Sequence, residues 1–252
     1  MDDKNYPLTK NFNQTHTLHG GVGLHRKKFN YTCLDNKLIF KRYSPHLEDG
    51  FFGDCDIIIT YELKQNALIL TMHATTQTRA YINLTNHVSF NLNQDKDKTI
   101  LNHKLWIDAD KMIEIDQAFM PSKIVPIDEV FNFKTPKRIE KDINNPHQQL
   151  LIAKGYDHPY ILNKSGLREV ATLEVSDLRL RLATTQPSLV LYSGNFIPNG
   201  LHLTTGQSHH RGAVALEAQG IPNNQEFETY KHHNIITKAH PLNEIIMWTF
   251  ET

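Results

Sequence analysis

Short runs in which apolar and polar residues alternate recur along the whole chain. Leu38-Ile39-Phe40 begins the series, and in Ile57-Ile58-Ile59-Thr60-Tyr61-Glu62-Leu63 the residues Ile57, Ile59, Tyr61 and Leu63 share one face. After a turn at Gln65-Asn66, Leu68, Leu70 and Met72 share a face, with Thr71 and His73 opposite, so the two runs predict a hairpin. Leu178-Arg179-Leu180-Arg181-Leu182 alternates without a lapse, and Ser188-Leu189-Val190-Leu191-Tyr192 follows it across Gln186-Pro187. Ala213-Val214-Ala215-Leu216-Glu217 and Glu244-Ile245-Ile246-Met247-Trp248-Thr249-Phe250 complete the set. A period of two is the repeat of a strand buried on one face. Residues 147–154 alone predict a helix, a brief one, because most intervals are rich in Asn, Asp, Gly and Pro. The pattern therefore predicts an all-β chain, a large antiparallel sandwich. At this length one domain over residues 1–252 is expected. Residues 121–146, irregular and polar with Pro126 and Pro136 inside, predict a long loop crossing between sheets.

Charge removes several classes of function. Lys plus Arg (27) balances Asp plus Glu (27), so no global field draws the chain to nucleic acid or an anionic membrane. The tight basic cluster Arg26-Lys27-Lys28 reads as a solvated turn. The start, Met1-Asp2-Asp3-Lys4-Asn5, carries acid where a signal peptide needs a basic end and an apolar run. No later stretch is apolar long enough to span a bilayer, and a cytoplasmic protein is expected. Cys33 and Cys55 do not make a disulfide scaffold, and free buried thiols are expected.

Several stock sites are missing: a Gly-rich phosphate loop, a Gly-x-Ser-x-Gly elbow, and a Cys pair at metal spacing. The chain has 15 histidines, but His209-His210 and His232-His233 are adjacent pairs, which on a strand point to opposite faces. His16 and His19 precede Gly20-Gly21, which argues for a loop rather than a ligand-bearing helix, so no metal site is expected.

Four stretches combine ionisable groups with the Gly, Pro or Asn that hold a backbone in a special shape. They are Leu18-His19-Gly20-Gly21, Asn83-Leu84-Thr85-Asn86-His87-Val88-Ser89-Phe90-Asn91-Leu92, Gly155-Tyr156-Asp157-His158-Pro159-Tyr160, and Leu216-Glu217-Ala218-Gln219-Gly220-Ile221-Pro222-Asn223. Each alone reads as an ordinary turn or strand end. Together and in this order they resemble the aldose 1-epimerases, the galactose mutarotase family. The resemblance rests on Leu-His-Gly-Gly, Asn-Leu-Thr-Asn-His with Phe-Asn-Leu, Gly-x-Asp-His, and a Leu-Glu-x-Gln-x-x-Pro block. Glu48-Asp49-Gly50-Phe51-Phe52-Gly53-Asp54, Tyr192-Ser193-Gly194-Asn195-Phe196 and the closing Trp248-Thr249-Phe250 are similar to further family landmarks.

The resemblance implies the galactose mutarotase-like supersandwich and an isomerase that interconverts the α and β anomers of an aldohexose such as galactose or glucose. Such a reaction needs one base for the C1 hydroxyl and one acid for the ring oxygen, with no cofactor. By the family pattern Glu217 is the base, His87 the acid, and His19 and Asp157 bind the sugar. His158 and Gln219 are supporting positions. The partner implied is a small sugar, for a monomer or a homodimer.

The chain also departs from the family pattern. Its match begins near Tyr6, well inside the family domain, so the opening strands and an Asn-Arg pair that helps bind substrate have no counterpart. Such a loss is expected to leave sheet edges and apolar surface uncovered. Ser89 stands where an aromatic residue is usual, and Val190 where some members place a sugar-binding Gln. The alternative reading is a carbohydrate-binding or catalytically impaired remnant of the same fold. An enzyme for a phosphorylated hexose would need an arginine cluster, and none accompanies these motifs.

Overall fold

The computed structural model describes residues 4–95, 97–204 and 206–252. In chain order the strands are β1 (Asn30–Leu34), β2 (Lys37–Ser44), β3 (Cys55–Lys64), β4 (Ala67–Thr75), β5 (Arg79–Tyr81), β6 (Ser89–Phe90), β7 (Lys104–Ile107), β8 (Ala109–Ile115), β9 (Pro121–Pro126) and β10 (Lys137–Arg138). After the helix α1 (Gln148–Ala153) come β11 (Asp157–Leu162), β12 (Arg168–Val175), β13 (Leu178–Thr184), β14 (Ser188–Tyr192), β15 (His202–Leu203), β16 (Gly206–Gln207), β17 (Val214–Gln219), β18 (Ile235–Thr237) and β19 (Leu242–Glu251). The fold is all-β and antiparallel, as the alternation predicts. The residues divide into two compact units, one built from those up to 64 with 68–83 and 234–244, the other from 65–67, 84–233 and 245–252.

In the first unit β1, β2, β3 and β4 are consecutive neighbours in one sheet, and β5 pairs with β18. The predicted β3–β4 hairpin forms, with Gln65 at φ 54 in its turn. On β4 the apolar face is buried at Leu70, Met72 and Ala74, while Thr71 and His73 are only half-buried. On β3 the pattern covers only the first half, because Leu63, next to the turn, is 61% exposed. Both thiols are free, but Cys33 is exposed and only Cys55 is buried. Cys33 lies on β1, an edge strand solvated along its whole length, which corrects the expectation of two buried thiols.

The second unit carries a six-stranded sheet in the order β6-β17-β14-β11-β8-β9. It also carries the neighbouring strands β19-β13-β12-β7-β10, which belong to the nine-stranded sheet. Phe90 of β6 meets Phe250 of β19 edge to face, joining the two layers. The β12–β13 hairpin shows what the alternation does. Leu180 and Leu182 are buried, whereas Arg179 and Arg181 reach solvent and pair with Glu174, Glu169 and Glu251.

The expected long loop at 121–146 contains structure instead. Strand β9 pairs with β8 through Ile113↔Ile124, and β10 pairs with β7. Both are sheet-edge strands, where a proline's missing N–H need not interrupt a ladder, so Pro121 and Pro126 are tolerated. The predicted helix forms: His147 Nδ1 accepts from the Gln149 N–H at its start, and Lys154 ends it in the left-handed region at φ 58.

Candidate active site

Register across β11, β14, β17 and β6 builds a small grid on one face of the six-stranded sheet. One row runs Asp157, Tyr192, Ala215, Ser89, and the next runs Pro159, Val190, Glu217. Because successive side chains alternate, the intervening His158, Tyr160, Leu189, Leu191, Leu216 and Ala218 point to the opposite face and are fully or almost fully buried. The same strands thus carry core on one side and ionisable groups on the other.

His87 reaches this face from the irregular segment before β6. Polar side chains shape that segment: Thr85 Oγ1 donates to the Ala218 carbonyl at 2.8 Å, and Gln186 Nε2 donates to the Leu84 carbonyl at 3.2 Å. The Val88 N–H is accepted by Asn86 Oδ1, and Asn91 Nδ2 donates to the carbonyls of Lys98 and Gly212. Farther on, the Leu92 N–H donates to Nε2 of fully buried His103. So held, His87 Nε2 stands 3.2 Å from Glu217 Oε1, with the imidazole 41% exposed and the carboxylate side chain 9% exposed.

Burial sets the electrostatics. Desolvation raises the Glu217 pKa from 4.5 to about 7. Asp157 rises from 3.8 to about 7, first by burial and then by repulsion from Glu217, with His87 opposing. A carboxyl group poised near neutrality exchanges protons readily at working pH. Burial also raises the pKa of Tyr192, and the charges of Asp157 and Glu217 add to this, so the phenol is neutral.

Asp157 is braced from behind. Its N–H donates to His158 Nδ1 at 3.1 Å, and His158 Nε2–H donates to Gln149 Oε1 at 3.1 Å. Gln149 also accepts from the Ile115 N–H and donates to the Ile115 carbonyl. Burial pushes His158 down to about 3, which keeps the imidazole neutral, one nitrogen donating and the other accepting. Asn195 completes the support, donating to the carbonyls of Ala153 and Tyr156. It lies so close to Gly155 (φ +141) that a Cβ there would be 2.2 Å from Asn195 Oδ1, which explains the glycine.

The family profile described as Aldose 1-epimerase matches residues 1–238. The chain belongs to the aldose 1-epimerase family. It is 30% identical over 232 residues to the Haemophilus influenzae aldose 1-epimerase, covering 89% of this chain and 67% of that protein. It is 31% identical over 231 residues to the Sus scrofa galactose mutarotase, covering 88% and 66%. The chain therefore spans about two thirds of the length of these relatives. Among solved structures it is similar to an aldose epimerase homologue from C. elegans, with TM-score 0.88, 26% identity, and 100% and 77% of the two chains covered. It is also similar to the Lactobacillus acidophilus galactose 1-epimerase, with TM-score 0.81, 26% identity, and 98% and 73% covered.

Of the four residues assigned from the family motifs, the structure brings His87 and Glu217 into contact and places Asp157 on the same sheet face. His19 lies in the first unit, exposed at φ 53 in a turn closed by the Gly21 N–H on the Leu18 carbonyl. Asn11 ties this turn from both directions, accepting from the Leu18 N–H and donating to the carbonyls of Leu18 and Gly21. His158 is buried against Phe131 and Gln149 and faces away from Asp157, so its part is support. The motifs did not single out Tyr192, whose ring meets His87, or Gln149. Tyr192 sits in a noted landmark, but its place beside Asp157 follows from register alone. Among the described residues, no group of three or more His, Cys, Asp or Glu is arranged to hold a metal ion, and no helix is long and apolar enough to cross a membrane.

Proposed function

We propose that this chain interconverts the α and β anomers of a free aldohexose such as galactose or glucose. One observation carries the reading: a buried carboxyl group with pKa near 7 touches an imidazole at 3.2 Å, inside the motifs of the family. The anomeric hydroxyl and the ring oxygen are bonded to the same carbon, so two neighbouring groups can serve both. A bound sugar replaces the His87–Glu217 contact with one hydrogen bond from each group to its own oxygen.

In the forward step Glu217 takes the C1 hydroxyl proton while protonated His87 gives its proton to the ring oxygen. The bond from C1 to the ring oxygen breaks and a carbonyl forms at C1. After rotation about the C1–C2 bond, the ring closes on the other face of C1. His87 then recovers its proton from the C5 hydroxyl and Glu217 returns its own to the carbonyl oxygen, restoring both groups. In this reading Asp157 holds a sugar hydroxyl, and its share is orientation, which shortens the search for the reactive arrangement.

The test is the optical rotation of freshly dissolved α-galactose or α-glucose followed in time with folded protein. Faster decay to the equilibrium rotation than in buffer supports the proposal. Galactose binding by calorimetry without acceleration would replace it with a sugar-binding role.

A further inference from the structure

We propose that Tyr192 is a positioning residue for this reaction, a buttress that holds the His87 imidazole in line with Glu217; the inference rests on the epimerase reading. His87 comes from an irregular segment and its side chain is 41% exposed, so a strand does not fix its ring. Tyr192 is on strand β14, and register sets it between Asp157 of β11 and Ala215 of β17. Its ring meets the imidazole edge to face, with centroids 6.4 Å apart and planes at 74°. That arrangement suits two rings with positive edges and negative faces.

The buttress is itself anchored. The Phe196 N–H donates to Tyr192 Oη at 2.9 Å, which stops the phenol from swinging away. Phe196 follows Asn195, and Asn195 is tied to the carbonyls of Ala153 and Tyr156 and to Ser193 Oγ. The loop 193–196 thereby connects the support of Asp157 to the orientation of His87. This gives Tyr192-Ser193-Gly194-Asn195-Phe196 a mechanical purpose that catalysis by His87 and Glu217 alone does not require. It also predicts how loss divides between binding and turnover. A group that aims the acid matters most when the proton moves, and a misplacement of about 1 Å can cost about 10²-fold in rate.

The experiment compares Tyr192→Leu, which removes ring and anchor, with Tyr192→Phe, which keeps the ring and loses the anchor. Mutarotation kinetics should show kcat falling about 10²-fold in Tyr192→Leu with KM nearly unchanged, and by several-fold in Tyr192→Phe. The His87 ring resonances of histidine-labelled protein, assigned by their loss in His87→Asn, should move in both variants, more in Tyr192→Leu. Tyr192→Leu with full kcat, a loss confined to KM, or unmoved His87 resonances would overturn the proposal. If Tyr192→Leu does not fold, Tyr192→Phe decides by the same two readouts. A wild-type chain without mutarotation would refute the epimerase reading, and the His87 resonances would then decide separately whether Tyr192 holds the ring.

Discussion

Replacing Glu217 with glutamine turns a buried acid into a neutral group of the same shape, and the structure gives this one change two opposite consequences. The Glu217 pKa is about 7 in the folded chain against an ordinary 4.5, because burial penalises the carboxylate. A group whose folded pKa lies above its unfolded value binds more protons folded than unfolded. Stability therefore falls as pH rises from about 4.5 through 7 and stays low above that window. At about 1.4 kcal/mol per unit, ionised Glu217 costs the folded chain about 3 kcal/mol at high pH. Glu217→Gln removes that cost while deleting the base. Urea unfolding at pH 8.5 should find the variant more stable than wild type by up to about 3 kcal/mol, with the advantage vanishing near pH 4. Mutarotation should fall by about 10²- to 10⁴-fold. A variant that is less stable at pH 8.5, or whose difference from wild type ignores pH, would refute the burial argument.

Other changes probe the neighbouring groups. His87→Asn should lower kcat by at least about 10²-fold while leaving the urea midpoint close to wild type, since the half-exposed ring contributes little packing; polarimetry and unfolding report the two separately. Asp157→Asn should raise KM for galactose more than it lowers kcat. It should also flatten the loss of stability between pH 4 and 7, because Asp157 too is raised to about 7. His158 works in the other direction. Its pKa is lowered from 6.5 to about 3, so it contributes stability that is lost as pH falls through that window. His158→Leu should reduce stability at pH 7 by about 1–3 kcal/mol, by leaving the Asp157 N–H without its acceptor, yet lose less on acidification than wild type.

What the sequence revealed follows the range of the physics involved. Leu180 and Leu182 inside with Arg179 and Arg181 outside is a local pattern, and it was legible; so was the helix at 147–154, whose turn residues and apolar face are contiguous. Strand β9 was not, because its prolines read as breakers unless the strand is known to lie at a sheet edge, a fact of topology. The half-buried stretch of β3 and the solvated β1 escaped for the same reason: alternation predicts a buried face without saying how far a neighbour covers it. At the site, the motifs supplied His87, Asp157 and Glu217 by resemblance. They did not supply Tyr192, whose meeting with His87 depends on pairings between residues far apart in sequence.

Register explains why site and core stand or fall together. Along Asp157-His158-Pro159-Tyr160 the odd positions face the ionisable groups and the even positions enter the interior. A slip of one residue in β14 would put Leu189 and Leu191 where Val190 and Tyr192 now stand, and would send Tyr192 into the core. Hydrophobic burial therefore selects the register first, and the register then decides which side chains can do chemistry. The supports found behind Asp157 work within that choice: neutral His158, Gln149 and Asn195 satisfy buried polar groups that would otherwise favour another arrangement. His87 is the exception, because no regular strand carries it. Its position rests on hydrogen bonds made by Thr85, Asn86 and Asn91 and on the ring of Tyr192, which is why the Asn-rich segment around it is so polar for a stretch lying between strands.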